Sequence, residues 1–143
     1  MRFWDASAVV PLCVQEPDSA RVREILVEDA SMVVWWGTRT ECVSALMRRT
    51  REGGMTRAGE RAARRVLLAL ANAWMEMQPN ETLRSVAERL LAVHPLRTAD
   101  ALQLAAALLW CRQIPAGQDF VTFDQRLRDA SYREGFTVLP DTS

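Results

Sequence analysis

Four acidic residues stand where chemistry could be done: Asp5, Glu41, Asp100 and Asp124. Arg2-Phe3-Trp4 reads as a short apolar strand that ends on the Asp5 carboxylate, with the hydroxyl of Ser7 two positions on. Phe120-Val121-Thr122-Phe123-Asp124 repeats that pattern late in the chain. Glu41 and Asp100 fall in the first turns of expected helices. If the four converge, each like-charged pair at ~4 Å costs about 4 kcal/mol at an effective dielectric of 20. Only a multivalent cation or raised pKa values make that tolerable. Oxygen-only ligands select Mg²⁺ or Mn²⁺ over Zn²⁺, and a metal-held water is a ready nucleophile for phosphodiesters.

Each acid also has a plainer explanation. Asp5 and Asp124 could cap the helices that follow them. Thr38-Arg39-Thr40-Glu41 has capping-box spacing, which would turn the glutamate back on a backbone N–H. Asp100 suits the positive end of a helix dipole. Yet between Ala99 and Trp110 the only polar residues are Asp100 and Gln103, sharing one face at i, i+3. A carboxylate kept in so apolar a helix should find donors or a cation. Ser7 and Thr122 are expected to orient the acids by hydrogen bonding, with Asp119 as a turn residue in an outer role.

The elements that must position these side chains follow from periodicity and punctuation. Val9, Val10 and Leu12 have helical spacing after Asp5, and Glu16-Pro17-Asp18-Ser19 starts a further helix. Met32 to Trp36 reads as a strand, with Trp35 and Trp36 assigned to the core. A helix from Thr38 to about Thr50, a Gly53-Gly54 break and a helix from about Thr56 to Asn72 make a hairpin. Trp74 to Met77 reads as a strand. Asn80 caps a helix with a stripe of Leu83, Val86, Ala87, Leu90 and Leu91, stopped by His94-Pro95. His94, the only histidine, is expected to cap carbonyls there. Thr98 is expected to cap the next helix, which is apolar nearly all round. After a loop from Pro115 to Gln118 come the strand reaching Thr122, a helix to about Ser131, Gly135 as its stop and a strand from Phe136 to Leu139. Strands alternating with helices predict an α/β fold: a mostly parallel sheet, helices on both faces, and the helical hairpin inserted after the second strand.

Composition narrows the function. A chain of 143 residues is expected to be one domain. Net charge is zero, so composition alone does not announce a nucleic-acid binder. All 18 basic residues are arginine, which excludes any mechanism that needs a lysine. With a single histidine, Ser-His and Cys-His nucleophile schemes are also excluded. Cys13, Cys42 and Cys111 are too scattered for a disulfide framework or a zinc site, and fit a reducing cytoplasm. No signal segment or membrane-length apolar run is evident. Residues 48–65 hold seven arginines against two glutamates, a local charge of +5. Arg57, Arg61 and Arg64 or Arg65 fall on one helical face and, with Arg48, suit a phosphate backbone or an acidic partner.

Taken together, these residues resemble PIN-domain ribonucleases, in particular VapC-type toxins of bacterial toxin–antitoxin pairs. Trp4-Asp5-Ala6-Ser7-Ala8, Glu16-Pro17-Asp18-Ser19, Thr38 to Leu46, Leu96 to Ala107 and Phe120 to Asp124 resemble that family's segments in order, nearly end to end. The resemblance implies a three-layer PIN fold and an endoribonuclease. It implies Mg²⁺ or Mn²⁺ held by Asp5, Glu41, Asp100 and Asp124, with an activated water attacking RNA. It further implies a homodimer and a cognate antitoxin that covers the groove. Gln103 departs from the histidine common in close relatives, which bears on substrate fit more than on chemistry.

Two readings compete. Receiver domains and haloacid-dehalogenase-type phosphatases also place acids at strand ends, but both rely on a lysine, and Ser7 stands where the phosphatases want a second acid. A catalytically silent binding or scaffold module would keep the fold without needing the metal.

Overall fold

Phe3 and Trp4 are neighbours in sequence and both are fully buried. On a strand, successive side chains point to opposite faces, so both faces of the sheet at this point must be covered. The computed structural model, which describes residues 1–142, shows how. The strands are β1 (Arg2–Trp4), β2 (Met32–Trp35), β3 (Met75–Met77), β4 (Asp119–Val121) and β5 (Thr137–Leu139). The helices are α1 (Ala6–Cys13), α2 (Ser19–Glu28), α3 (Thr38–Arg51), α4 (Arg57–Ala73), α5 (Glu81–Val93), α6 (Thr98–Trp110) and α7 (Gln125–Glu134). The sheet order is β3-β2-β1-β4-β5 and every pairing is parallel.

The alternation along the strands divides the core in two. Phe3, Val33, Trp35 and Phe120 face α5, α6 and α7. Trp4, Met32, Val34 and Val121 face α1 to α4. Each strand is only three or four residues long, so a single step decides which layer a side chain joins. The expected hairpin is α3 and α4, between β2 and β3.

The chain leaves β1 toward β2 on one side, yet β4 lies on the other side of β1. The order of connection therefore reverses between β1 and β4, and a crevice opens at their carboxyl ends. The backbone continues the pairing there, with the Asp5 N–H donating to Val121 O at 3.2 Å.

Four local expectations are corrected. Trp36 lies outside β2 and is 53% exposed, whereas Trp35 is buried; β2 ends at Trp35 and the chain turns away from the sheet. Trp74 belongs to the end of α4 and not to a strand, its N–H bonded to Leu70 O. Thr98 is the first helical residue of α6, with Arg97 in the capping position. The His94 ring caps no carbonyl; its Nε2 meets Glu134 Oε2 at 2.6 Å and ties the end of α5 to the end of α7.

Candidate active site

Asp5 sits at the crevice because β1 ends beneath it and α1 begins above it. Its Oδ1 caps α1, accepting from the Ala8 N–H at 3.3 Å. The same oxygen accepts from the Ser7 hydroxyl at 2.7 Å. Ser7 Oγ also accepts from the Phe123 N–H at 2.9 Å and lies 3.3 Å from Thr122 Oγ1. Thr122 Oγ1 in turn accepts from the Asp124 N–H at 3.1 Å. The two hydroxyls thus join the β1–α1 turn to the β4–α7 turn and fix Asp5 and Asp124 relative to each other. Asp124 caps α7 through its Oδ1, which accepts from the Leu127 N–H at 3.0 Å.

Asp100 and Glu41 enter from helices on opposite faces of the sheet. One oxygen of Asp100 accepts from the Arg97 N–H at 3.1 Å. Glu41 does not form the capping box that its local spacing suggests. Its Oε2 instead accepts from the Gln103 amide at 3.2 Å, and the same Nε2 donates to Thr38 Oγ1 at 2.9 Å. Gln103 is buried and joins α6 to α3 beside the acids.

The electrostatics link the four. Burial pushes Asp5 up to about 7, helped by the nearby Asp124 charge and opposed by the Ser7 and Thr122 hydroxyls. Asp100 is raised by burial and by Asp124, against the Arg97 backbone bond and the charges of Arg126 and Arg97. Glu41 is raised by burial and by Asp100, against the Gln103 hydrogen bond. The acids therefore form a chain of mutual repulsion, Asp5 to Asp124 to Asp100 to Glu41. Among the described residues, none of the four is in an ion pair with a basic side chain.

The donor set suits a hard divalent cation, being carboxylate oxygen throughout. Among the described residues, no three or more His, Cys, Asp or Glu side chains are grouped closely enough to hold a metal ion by themselves.

The other expected residues are distributed as follows. Asp119 stands at the opposite, amino end of β4 and binds Arg2 Nε at 2.8 Å, so it shares no contact with the acids. Arg48 is exposed on α3 near Glu41. Arg57 and Arg61 are exposed on α4, and Arg64 lies 3.6 Å from Glu60. Sequence reasoning missed Arg128, which donates to Thr122 O at 2.7 Å and Pro140 O at 2.6 Å. It clamps the turn that carries Asp124, and nothing local in the sequence marks it.

Fold and site together define an α/β domain that gathers carboxylates at a sheet switch point. The family model described as "PIN domain" matches residues 2–131, and the chain belongs to that family. No curated protein gives a significant match. Among solved structures, it is similar to PAE2754 from Pyrobaculum aerophilum, with 20% identity, TM-score 0.67, and coverage of 96% of this chain and 88% of that one. VapC20 of Mycobacterium tuberculosis, described as a sarcin-ricin loop cleaving toxin, shares 18% identity at TM-score 0.69, covering 96% and 97%. FitAcB of Neisseria gonorrhoeae shares 13% identity at TM-score 0.67, covering 96% of each. At these identities the likeness is one of fold.

Proposed function

We propose that this protein is a Mg²⁺- or Mn²⁺-dependent endoribonuclease, the toxin component of a toxin–antitoxin pair. The observation that supports this most is the run of carboxylates at the switch point: Asp5, Asp100 and Glu41 are each raised by burial and by a neighbouring carboxylate, and none of the four acids is in an ion pair with a basic side chain among the described residues. Such a cluster is costly unless an ion is bound there.

In this reading Asp5, Glu41, Asp100 and Asp124 hold the ion and orient water. A divalent ion supplies positive charge to the phosphodiester and lowers the pKa of the attacking water. Ser7 and Thr122 hold the Asp5 carboxylate in one orientation, and Gln103 does the same for Glu41. Arg48, Arg57 and Arg61 offer cations to an RNA backbone or to an acidic stretch of antitoxin. The resemblance extends the proposal to a homodimer and a cognate antitoxin. The description of VapC20 as a sarcin-ricin loop cleaving toxin supports RNA as the substrate.

The test is cleavage of a panel of end-labelled RNAs by partner-free protein with Mn²⁺, Mg²⁺ or EDTA, beside Asp100→Asn. Metal-dependent cutting that the substitution abolishes is expected. Cutting that survives both EDTA and the substitution would reject the site, and no cutting with no Mn²⁺ binding would reject the nuclease.

A further inference from the structure

Beside the acids lies an open cavity of about 660 Å³ between the start of α3 and the start of α6. Glu41 lines it, so it is continuous with the acid cluster. So do Ala6, Thr40 and Ala99, the chain neighbours of Asp5, Glu41 and Asp100. Leu102 and Trp35 supply apolar walls, and Trp36 stands at the rim. Trp36 is 53% exposed and leaves much of its indole open to a ligand. Trp35 meets it edge-to-face, with centroids 6.3 Å apart and planes at 74°. Gly37 allows this arrangement: a Cβ there would come within 2.5 Å of Trp35 Nε1. Along α3, Glu41, Ala45 and Arg48 follow at i, i+4, i+7 and place a cation at the outer end of the cavity. Arg48 has no ion pair or side-chain hydrogen bond among the described residues.

We propose that this cavity binds one unpaired base of the RNA substrate, stacked on Trp36, with Arg48 on a flanking phosphate; this rests on the nuclease reading. The chemistry matches part by part. A base offers a π-face to an indole, and stacking of this kind is how proteins hold single-stranded RNA. A phosphate offers its charge to an unpaired guanidinium. An apolar side chain of a protein partner would fill the cavity but would need neither Arg48 nor continuity with the acids. A base paired in a duplex could not enter, so the subsite selects loops and single strands.

The test measures binding of fluorescein-labelled oligoadenylate, and of a blunt-ended RNA duplex of two separate strands, to the non-cutting Asp100→Asn protein with Mg²⁺. Trp36→Ala and Trp36→Phe are added to that parent, and circular dichroism checks each fold. Trp36→Ala is expected to weaken oligoadenylate binding by about fivefold or more, the loss of one stacked base. Trp36→Phe should bind like the parent while losing the part of the tryptophan quenching that Trp36 contributes. The duplex should bind more weakly and ignore both changes. Trp36→Ala binding like the parent would overturn the subsite while leaving the nuclease standing. A change in sedimentation with Trp36→Ala would make the cavity an interface between copies and also overturn it. A parent that binds no RNA, with unsubstituted protein that cuts none, would remove the nuclease and the subsite together.

Discussion

Asp5 does two jobs with one carboxylate, and substitutions can separate them. As an N-cap it accepts from the Ala8 N–H, a role asparagine fills as well as aspartate. As an acid it contributes a buried negative charge at the crevice. Asp5→Asn should therefore keep the start of α1 and abolish cleavage. Asp5→Ala should abolish cleavage and also lose about 1 kcal/mol of stability relative to Asp5→Asn. Denaturant midpoints and RNA cleavage for the pair check this. Full activity in Asp5→Asn would mean that the residue is only a cap. Ser7→Ala leaves the acid in place and removes its 2.7 Å donor. A loss of roughly 10–100-fold in cleavage is expected, the usual scale for a partner that orients a ligand.

At the scale of elements, α6 decides where the site can form. Ala105, Ala106 and Ala107 are all fully buried, so this helix lies against the sheet and α5 through small side chains. Ala106→Leu should cost about 1–3 kcal/mol by overpacking, read as a lower midpoint in denaturant. Gln103 on the same helix reaches across to Glu41 and Thr38, yet its own buried Oε1 has no partner. Gln103→Leu removes that unsatisfied atom as well as the donor, so stability should change little while cleavage falls about 10–100-fold. An unchanged rate would mean that the amide is packing alone. Much of this element was legible: an almost wholly apolar helix with one acid and one amide announces burial and a meeting of polar groups. What the amide meets was not legible, because Glu41 lies 62 residues away and its neighbours alone spell a capping box. Trp36 was misread for a related reason. Periodicity shows that two tryptophans follow a strand, but not at which of them the strand ends. Asp119 and Asp124 both flank β4, and only the direction of the strand shows that they stand at opposite ends.

For the whole molecule, the acid cluster sets stability against pH. Unfolded, Asp5 ionises near its ordinary value of 3.8; folded, it holds its proton to about 7. Between those values the folded state keeps a proton that the unfolded chain has lost. Stability from this group is therefore full below about pH 4 and falls until about pH 7. The raised Glu41 and Asp100 act in the same direction. At roughly 1.4 kcal/mol per unit, Asp5 alone accounts for about 4 kcal/mol. Against total stabilities of about 5–15 kcal/mol, that is a large share. In EDTA the thermal midpoint should fall between about pH 5.5 and pH 8, and Asp5→Asn should flatten the curve. A divalent ion competes with the proton for the same oxygens, so Mn²⁺ should raise the midpoint more at the higher pH. Zero net charge leaves no global repulsion to mimic this trend. A midpoint that rises with pH in EDTA, or Mn²⁺ stabilisation equal at both, would mean that the carboxylates are not coupled to folding in this way, and the case for a bound ion would lose its main physical support.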